Sequence, residues 1–250
     1  QLPKLKLICV AATGMNNVDL ESAKELGIEV KNAVGYSTTS VAETTLASAL
    51  ALARNIVYFN EYFHDGRYSK ADRAFCYDRF TFELRGKRWG IIGMGNIGRE
   101  VARLASAFGC EVRYFSTSGV KREEAYPHME LKELMQWSDI VSVHSPLNEH
   151  TRGLVGAKEL AMMKPSAMII NVARGGIIDE AALAEALDNG TIAAAALDVF
   201  SVEPLRESPL YNIKDKYKLL ASPHNAWSAA EAIDRLIGCV ADNIRNFLNR

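Results

Sequence analysis

Charge imbalance is the first thing this sequence lacks. Lys and Arg number 29 and Asp and Glu 30, a net charge of −1 over 250 residues. A near-neutral chain offers no basic footprint to nucleic acid or to an anionic membrane surface, so neither is expected as a partner. Long apolar runs are lacking too. The longest weakly charged stretch, 34–52, holds Glu43 and many Ser, Thr and Ala, and is too polar to cross a bilayer. The opening residues have no basic-then-apolar leader pattern. Cysteine is sparse: Cys9, Cys76, Cys110 and Cys239 lie far apart, with no CxxC and no histidine at ligand spacing. That argues against a disulfide framework or a zinc site, so no metal is expected, and it points to a reduced, cytoplasmic protein. Cys9, inside an apolar run, reads as a small buried hydrophobe. With 48% hydrophobic residues the chain can fold, and its length allows one large domain or two modest ones.

What is present is alternation. Short runs, mostly apolar on both faces, occupy 5–10, 88–92, 111–115, 140–144, 168–172, 194–198 and 218–221. Between them, 96–108, 131–137, 156–162 and 180–189 carry apolar residues at helical spacing, the last with Asp179 as a candidate N-cap and Gly190 just past its end. Such β-α-β-α order predicts a doubly wound α/β fold: a parallel sheet with right-handed crossovers and helices on both faces. Ser40, Val41, Ala42 and Glu43 have the form of a capping box opening a longer helix. The stretch 58–82 is aromatic and polar without clear periodicity, which predicts an irregular arm. Its Tyr58, Phe59, Tyr62, Phe63, Tyr68, Phe75 and Tyr77 need a surface, which a partner subunit or the same chain could supply.

Gly93, Met94, Gly95, Asn96, Ile97 and Gly98 directly follow an expected strand and open an expected helix. In that setting the GxGxxG pattern is specific. Gly93 makes the tight turn, Gly95 lets a pyrophosphate approach the backbone, and Gly98 lets helix and strand pack closely. The helix N-terminus offers free N–H groups to the phosphates. The next strand would be expected to end in an acidic residue for the adenosine ribose, but Ser116, Thr117, Ser118 and Gly119 stand there. Lys121 and Arg122 are near enough in sequence to reach a 2′-phosphate. NAD is the expected cofactor, with NADP open.

Polar residues collect at the strand ends, where ligands of open parallel sheets bind. His144, Ser145, Pro146 and Thr151 follow one strand; Ala173 and Arg174 follow another; Asp198 and Glu203 follow a third; Ser222, Pro223 and His224 follow the last. Beside a dinucleotide cradle such a group suggests an active site.

These segments, together with Gly14-Met-Asn-Asn-Val-Asp19, Asn171-Val-Ala-Arg-Gly-Gly-Ile-Ile-Asp179 and Leu197-Asp-Val-Phe-Ser-Val-Glu-Pro204, make the chain resemble the D-isomer-specific 2-hydroxyacid dehydrogenases from about Leu5 onward. The resemblance implies catalytic roles for Arg174, Glu203 and His224. It implies that Asp198 faces the nicotinamide carboxamide. His224 as imidazolium would protonate a developing alkoxide, Glu203 would favour that charged form, and Arg174 would hold the substrate carboxylate. Thr13, Gly14 and Met15 would complete the carboxylate site. Cofactor contacts are expected from Gly93, Gly95, Asn96, Ile97, Gly98, Ser116, Ser145, Pro146, Thr151, Ala173, Asp198 and His224.

The implied reaction moves a hydride between a nicotinamide and a small 2-oxo or 2-hydroxy acid. The wording is most like glycerate dehydrogenase/hydroxypyruvate reductase members, then D-lactate dehydrogenase, with glyoxylate also in range. Glu203 disfavours the formate dehydrogenases of this fold. A second class, NAD(H)-sensing corepressors of the same fold, shares the Arg, Glu and His set, but no basic patch or extended tail supports it. The family also implies a homodimer. The expected domains are a dinucleotide-binding domain over 40–227 and the remainder of a flavodoxin-like substrate domain over 1–39 and 228–250. Because family members carry further strand–helix units ahead of this point, the chain is expected to start inside that domain, and no regulatory tail is expected after its last helix.

Overall fold

A computed structural model describes residues 2, 4–15, 17–119 and 123–249. In chain order it runs β1 (Leu7–Val10), α1 (Leu20–Glu25), β2 (Glu29–Asn32), α2 (Thr38–Ala53), α3 (Ile56–His64), β3 (Arg88–Ile92), α4 (Asn96–Ala107), β4 (Glu111–Phe115), α5 (Leu131–Trp137), β5 (Ile140–Val143), α6 (Ala157–Leu160), β6 (Met168–Asn171), α7 (Glu180–Asp188), β7 (Ala194–Leu197), β8 (Leu219–Ala221) and α8 (Ala230–Leu248). Two compact units result: residues 1–41 with 227–250, and residues 42–226.

The first unit pairs β1 and β2 in parallel, from Leu7 opposite Glu29 to Val10 opposite Asn32. Its small core sets Ala33 and Tyr36 against Ala232 and Leu236 of α8. Arg235 Nε donates to the Tyr36 carbonyl at 2.8 Å, and Asn243 Nδ2 to the Asn32 carbonyl at 3.0 Å, fastening α8 to this unit.

The second unit is a six-stranded, all-parallel sheet in the order β4-β3-β5-β6-β7-β8. β5 and β6 are buried at every residue, as strands covered on both faces must be. Their Val141, Val143 and Ile169 side chains join Leu134, Leu160, Leu183 and Leu187 in one core, each large side chain contributing roughly 1.5–3 kcal/mol by leaving water. α4 buries Gly98, Val101, Ala102 and Ala105, one face at helical spacing. α7 is capped by Asp179, whose carboxylate accepts from the Ala182 N–H at 2.9 Å, and Gly190 beyond it takes φ +70°.

Register decides where the loops emerge. Ile92 pairs with Phe115 and Val143, Val143 with Asn171, Asn171 with Leu197, and Leu197 with Ala221. The last residues of all six strands therefore form one row. β3 lies between β4 and β5, so the chain reverses direction across the sheet at the end of β3, which is where open α/β sheets bind ligands.

Three local expectations need correction. The capping box at Ser40 and Glu43 does not form: α2 starts at Thr38, Glu43 is exposed, and the Ser40 hydroxyl accepts from the Ala229 N–H at 3.4 Å. Cys9 is only half-buried, because β1 belongs to a two-stranded sheet; Cys110 is the buried thiol, donating to the Leu84 carbonyl. The stretch 58–82 is not irregular throughout, since α3 covers Ile56–His64. Within the same chain Tyr58 is buried: its ring meets Tyr217 edge-on at 5.0 Å, with the Arg67 and Arg79 guanidinium groups over it at 5.0 and 4.8 Å. α1, six residues long, buries only Ala23 and so leaves no apolar stripe in the sequence.

Candidate active site

The cradle forms at the end of β3. Gly93 has φ +96°, and a Cβ there would stand 2.9 Å from the His144 carbonyl carbon and the Ser145 nitrogen. A Cβ on Gly98 would meet the Gly93 carbonyl oxygen at 2.3 Å, so helix and turn can approach this closely only with glycine at that position. A Cβ on Gly95 would meet nothing within 4 Å; its backbone faces open space at the N-terminus of α4, where Asn96 and Ile97 begin the helix. A cavity of about 240 Å³ adjoins it, lined among others by Ser116, Thr117, Ser118, Glu124, Ser145 and Pro146.

Two buried side-chain atoms here have no partner among the described residues: His144 Nδ1 and Ser145 Oγ. Unsatisfied buried polar atoms are costly, and a ligand that supplies hydroxyl or phosphate oxygens would satisfy them. Open backbone at Gly95, a helix N-terminus and two orphaned polar atoms fit a dinucleotide. Burial pushes the His144 imidazole down to about 3, so it stays neutral. The Trp89 indole N–H donates to Ser142 Oγ at 2.8 Å, which lies 3.0 Å from His144 Nε2. With its proton on Nε2 the imidazole would leave the buried Ser142 hydroxyl without an acceptor; with Ser142 donating to Nε2, the ring carries its proton on the orphaned Nδ1.

Thr151 is buried with its hydroxyl engaged locally, donating to the Pro146 carbonyl at 2.6 Å and accepting from the Asn148 N–H at 2.9 Å. It shapes the loop that carries Pro146. Lys121 and Arg122 lie outside the described residues.

Three further loops converge at the ends of β6, β7 and β8. After β6, Asn171 Nδ2 donates to the Arg174 carbonyl at 2.9 Å and Asn171 Oδ1 accepts from the Ala173 N–H at 3.0 Å, a staple across the turn. Arg174 Nη1 donates to the Ala173 carbonyl at 2.7 Å; the fork has five N–H donors, so others remain for an anion. A Cβ on Gly175 would lie 1.8 Å from the Phe200 carbonyl oxygen, so this loop packs directly on the one that bears Glu203.

Glu203 Oε1 accepts from the Phe200 N–H at 2.9 Å, and Glu203 Oε2 lies 2.6 Å from His224 Nδ1. The two residues are brought together from positions 21 apart in sequence. His224 adopts φ +54°, a conformation unusual for a residue with a side chain, and its N–H donates to the Asp198 carbonyl at 2.7 Å. The Asp198 side chain explains why that loop holds. Buried, its Oδ1 accepts from Ser222 Oγ at 2.6 Å and from the Asn225 N–H at 3.0 Å, and its Oδ2 from the Ala226 N–H at 2.9 Å. Sequence reasoning did not foresee this clamp, nor the Asn171 staple; the only signal was a polar side chain at the end of an otherwise apolar strand. An apolar cavity of about 620 Å³ lies against the pair, with Phe200, Leu205, Tyr211, Leu219 and Pro223 among its walls.

Thr13, Gly14 and Met15 follow β1 in the first unit. There Thr13 Oγ1 donates to the Ala33 carbonyl at 3.0 Å, and the Thr13 carbonyl accepts from Asn32 Nδ2 at 2.7 Å.

A dinucleotide cradle and an imidazole–carboxylate pair at the same end of one parallel sheet are the parts of a nicotinamide-dependent oxidoreductase. Comparison with known proteins makes this particular. Residues 46–226 match the family model described as D-isomer specific 2-hydroxyacid dehydrogenase, NAD binding domain. Glycerate dehydrogenase of Methylorubrum extorquens is 38% identical over 252 residues, covering 99% of this chain and 77% of that protein. Among solved structures, D-lactate dehydrogenase of Aquifex aeolicus, in complex with NAD and lactic acid, has a TM-score of 0.88 at 28% identity, covering 99% of this chain and 77% of that one. The NADPH-dependent glyoxylate/hydroxypyruvate reductase of Sinorhizobium meliloti, in complex with NADP and malonate, has a TM-score of 0.88 at 30% identity, covering 98% of this chain and 75% of that one. The chain belongs to the D-isomer-specific 2-hydroxyacid dehydrogenases, NAD(P)-dependent enzymes acting on a CH–OH group.

The Asp198 clamp generates a test. Asp198→Ala leaves the buried Ala226 N–H, the Asn225 N–H and the Ser222 hydroxyl without their acceptor, and should cost about 3 kcal/mol of stability. Chemical denaturation monitored by circular dichroism would read this as a lower midpoint; an unchanged midpoint would contradict the clamp.

Proposed function

We propose that this chain transfers a hydride between NAD(H) and a small D-2-hydroxy or 2-oxo acid, with the hydroxypyruvate/glycerate pair as the leading substrate and glyoxylate or a lactate-like acid next. The observation that carries this is the 2.6 Å contact of His224 Nδ1 with Glu203 Oε2 at the same sheet edge as the glycine cradle. The glycerate dehydrogenase and glyoxylate/hydroxypyruvate reductase relatives support the choice of substrates.

Gly93, Gly95, Asn96, Ile97 and Gly98 would hold the pyrophosphate, with Ser116, Ser145, Pro146 and Ala173 around the rest of the dinucleotide. When bound, the nicotinamide exchanges the hydride with carbon 2 of the acid. Arg174 grips the substrate carboxylate with two parallel N–H donors and polarises the adjacent carbonyl. His224 handles the proton. With Nδ1 committed to Glu203, Nε2 is the nitrogen left for the substrate. In reduction, the imidazolium gives its Nε2 proton to the developing alkoxide; in oxidation, neutral Nε2 takes the hydroxyl proton. Glu203 stabilises the charge on the ring and holds its orientation. Asp198 holds the loop that carries His224.

We also propose a homodimer through the arm 58–82. Tyr77 and Phe80 there are 76% and 96% exposed, Phe75 packs on Tyr77 and is exposed with it, and Phe63 is exposed too, apolar groups that water solvates poorly. Sedimentation equilibrium should return twice the mass of one chain; a single-chain mass at micromolar concentration would contradict this.

The catalytic assignment is tested by following NADH oxidation with hydroxypyruvate, glyoxylate and pyruvate. Hydroxypyruvate should give the highest kcat/KM. His224→Ala should lower kcat by about 10²–10⁴ with NADH affinity little changed. A His224→Ala variant with parental kcat, or an NADH-bound wild type that turns over none of the three acids, would contradict it.

A further inference from the structure

We infer that Glu124, paired with Arg99, sets this chain's preference for NAD(H) over NADP(H). The inference rests on the dinucleotide reading of the cradle and specifies it further. A strand-end carboxylate, the usual way to bind the ribose diol and repel a 2′-phosphate, is missing: β4 stops at Phe115 and Ser116 follows. The fold restores a negative charge from elsewhere. Glu124 lines the same 240 Å³ cavity as Ser116, Thr117 and Ser118, although it lies eight or fewer residues further along the chain and outside any helix or strand.

Its partner comes from α4. Arg99, directly after Gly98, holds the carboxylate in a two-point contact: Nη2 to Oε1 at 2.6 Å and Nε to Oε2 at 2.9 Å. The two charges are not equally placed. The Glu124 side chain is 6% exposed and belongs to the cavity wall; the Arg99 side chain is 42% exposed and does not. Water screens the guanidinium more than the carboxylate, so the cavity sees a net negative edge. Among the described lining residues, Glu124 supplies the one full charge, since His144 is held neutral. A ribose 2′-hydroxyl can donate to a carboxylate or a serine oxygen. A 2′-phosphate has little to donate and brings about two negative charges to the same place.

The test is a binding titration of the intact chain with NADH and with NADPH, read by nicotinamide fluorescence, so it does not depend on turnover. Wild type should bind NADH at least about tenfold more tightly. Glu124→Gln should lower that ratio about tenfold, by removing the charge and releasing Arg99. Arg99→Gln should move the ratio the other way, because the carboxylate loses its counter-ion. A purely structural part for the pair would weaken both cofactors together in both variants, and that result would overturn the inference. So would an unchanged ratio in Glu124→Gln, or a wild-type preference for NADPH that disappears in Lys121→Ala/Arg122→Ala. If wild type binds neither cofactor, the dinucleotide reading itself falls, and this inference with it.

Discussion

A parallel sheet can bring chemistry from distant parts of a chain to one place only if its strands end level. Here they do: Phe115, Ile92, Val143, Asn171, Leu197 and Ala221 share one row. Period-two side-chain alternation makes that register hard to alter, because slipping one residue would turn every buried Ile and Val of β5 and β6 to the opposite layer. The loops beyond the row inherit its alignment. The cradle, the arginine loop, the glutamate loop and the histidine loop are thus neighbours before any ligand is considered.

Alignment alone leaves loops loose, and buried polar side chains at the strand ends fasten two of them. Asn171, the last residue of β6, staples the turn before Arg174. Asp198, the first residue after β7, gathers Ser222, Asn225 and Ala226 and so supports His224 in its left-handed backbone conformation. Gly175 removes a side chain where the arginine loop presses on Phe200, the same residue whose N–H steadies Glu203. The core supplies stability through apolar area. These few polar contacts supply position, which catalysis needs to a fraction of an ångström.

The sheet was legible in the sequence because its strands are buried on both faces, and such runs stand out as short apolar blocks; β3 and β4 carry the expected bounds, and the others differ by a residue or two. α3 was not legible, because its buried contacts are Tyr58 against arginine and tyrosine rather than an aliphatic stripe. The start of α2 differs from the expectation because Ser40 and Glu43 have capping-box spacing, yet the serine is buried within the first helical turn and the glutamate is exposed. At the site, Arg174, Glu203 and His224 stood out as polar residues after strands, and their expected roles came from the family resemblance. The pairing of Glu203 with His224 was expected; the Asp198 clamp and the Arg99–Glu124 pair could not be read, since each joins residues from separate parts of the chain, up to 28 positions apart.

The most direct test of the account is the protonation pattern of one imidazole. Nitrogen NMR of the chain labelled at histidine, with His224 assigned by substitution, distinguishes the two neutral tautomers. The Glu203 contact predicts that neutral His224 carries its proton on Nδ1, leaving Nε2 bare for substrate, and that Glu203→Gln weakens this preference. A neutral ring protonated on Nε2, or a tautomer indifferent to the change at residue 203, would contradict it.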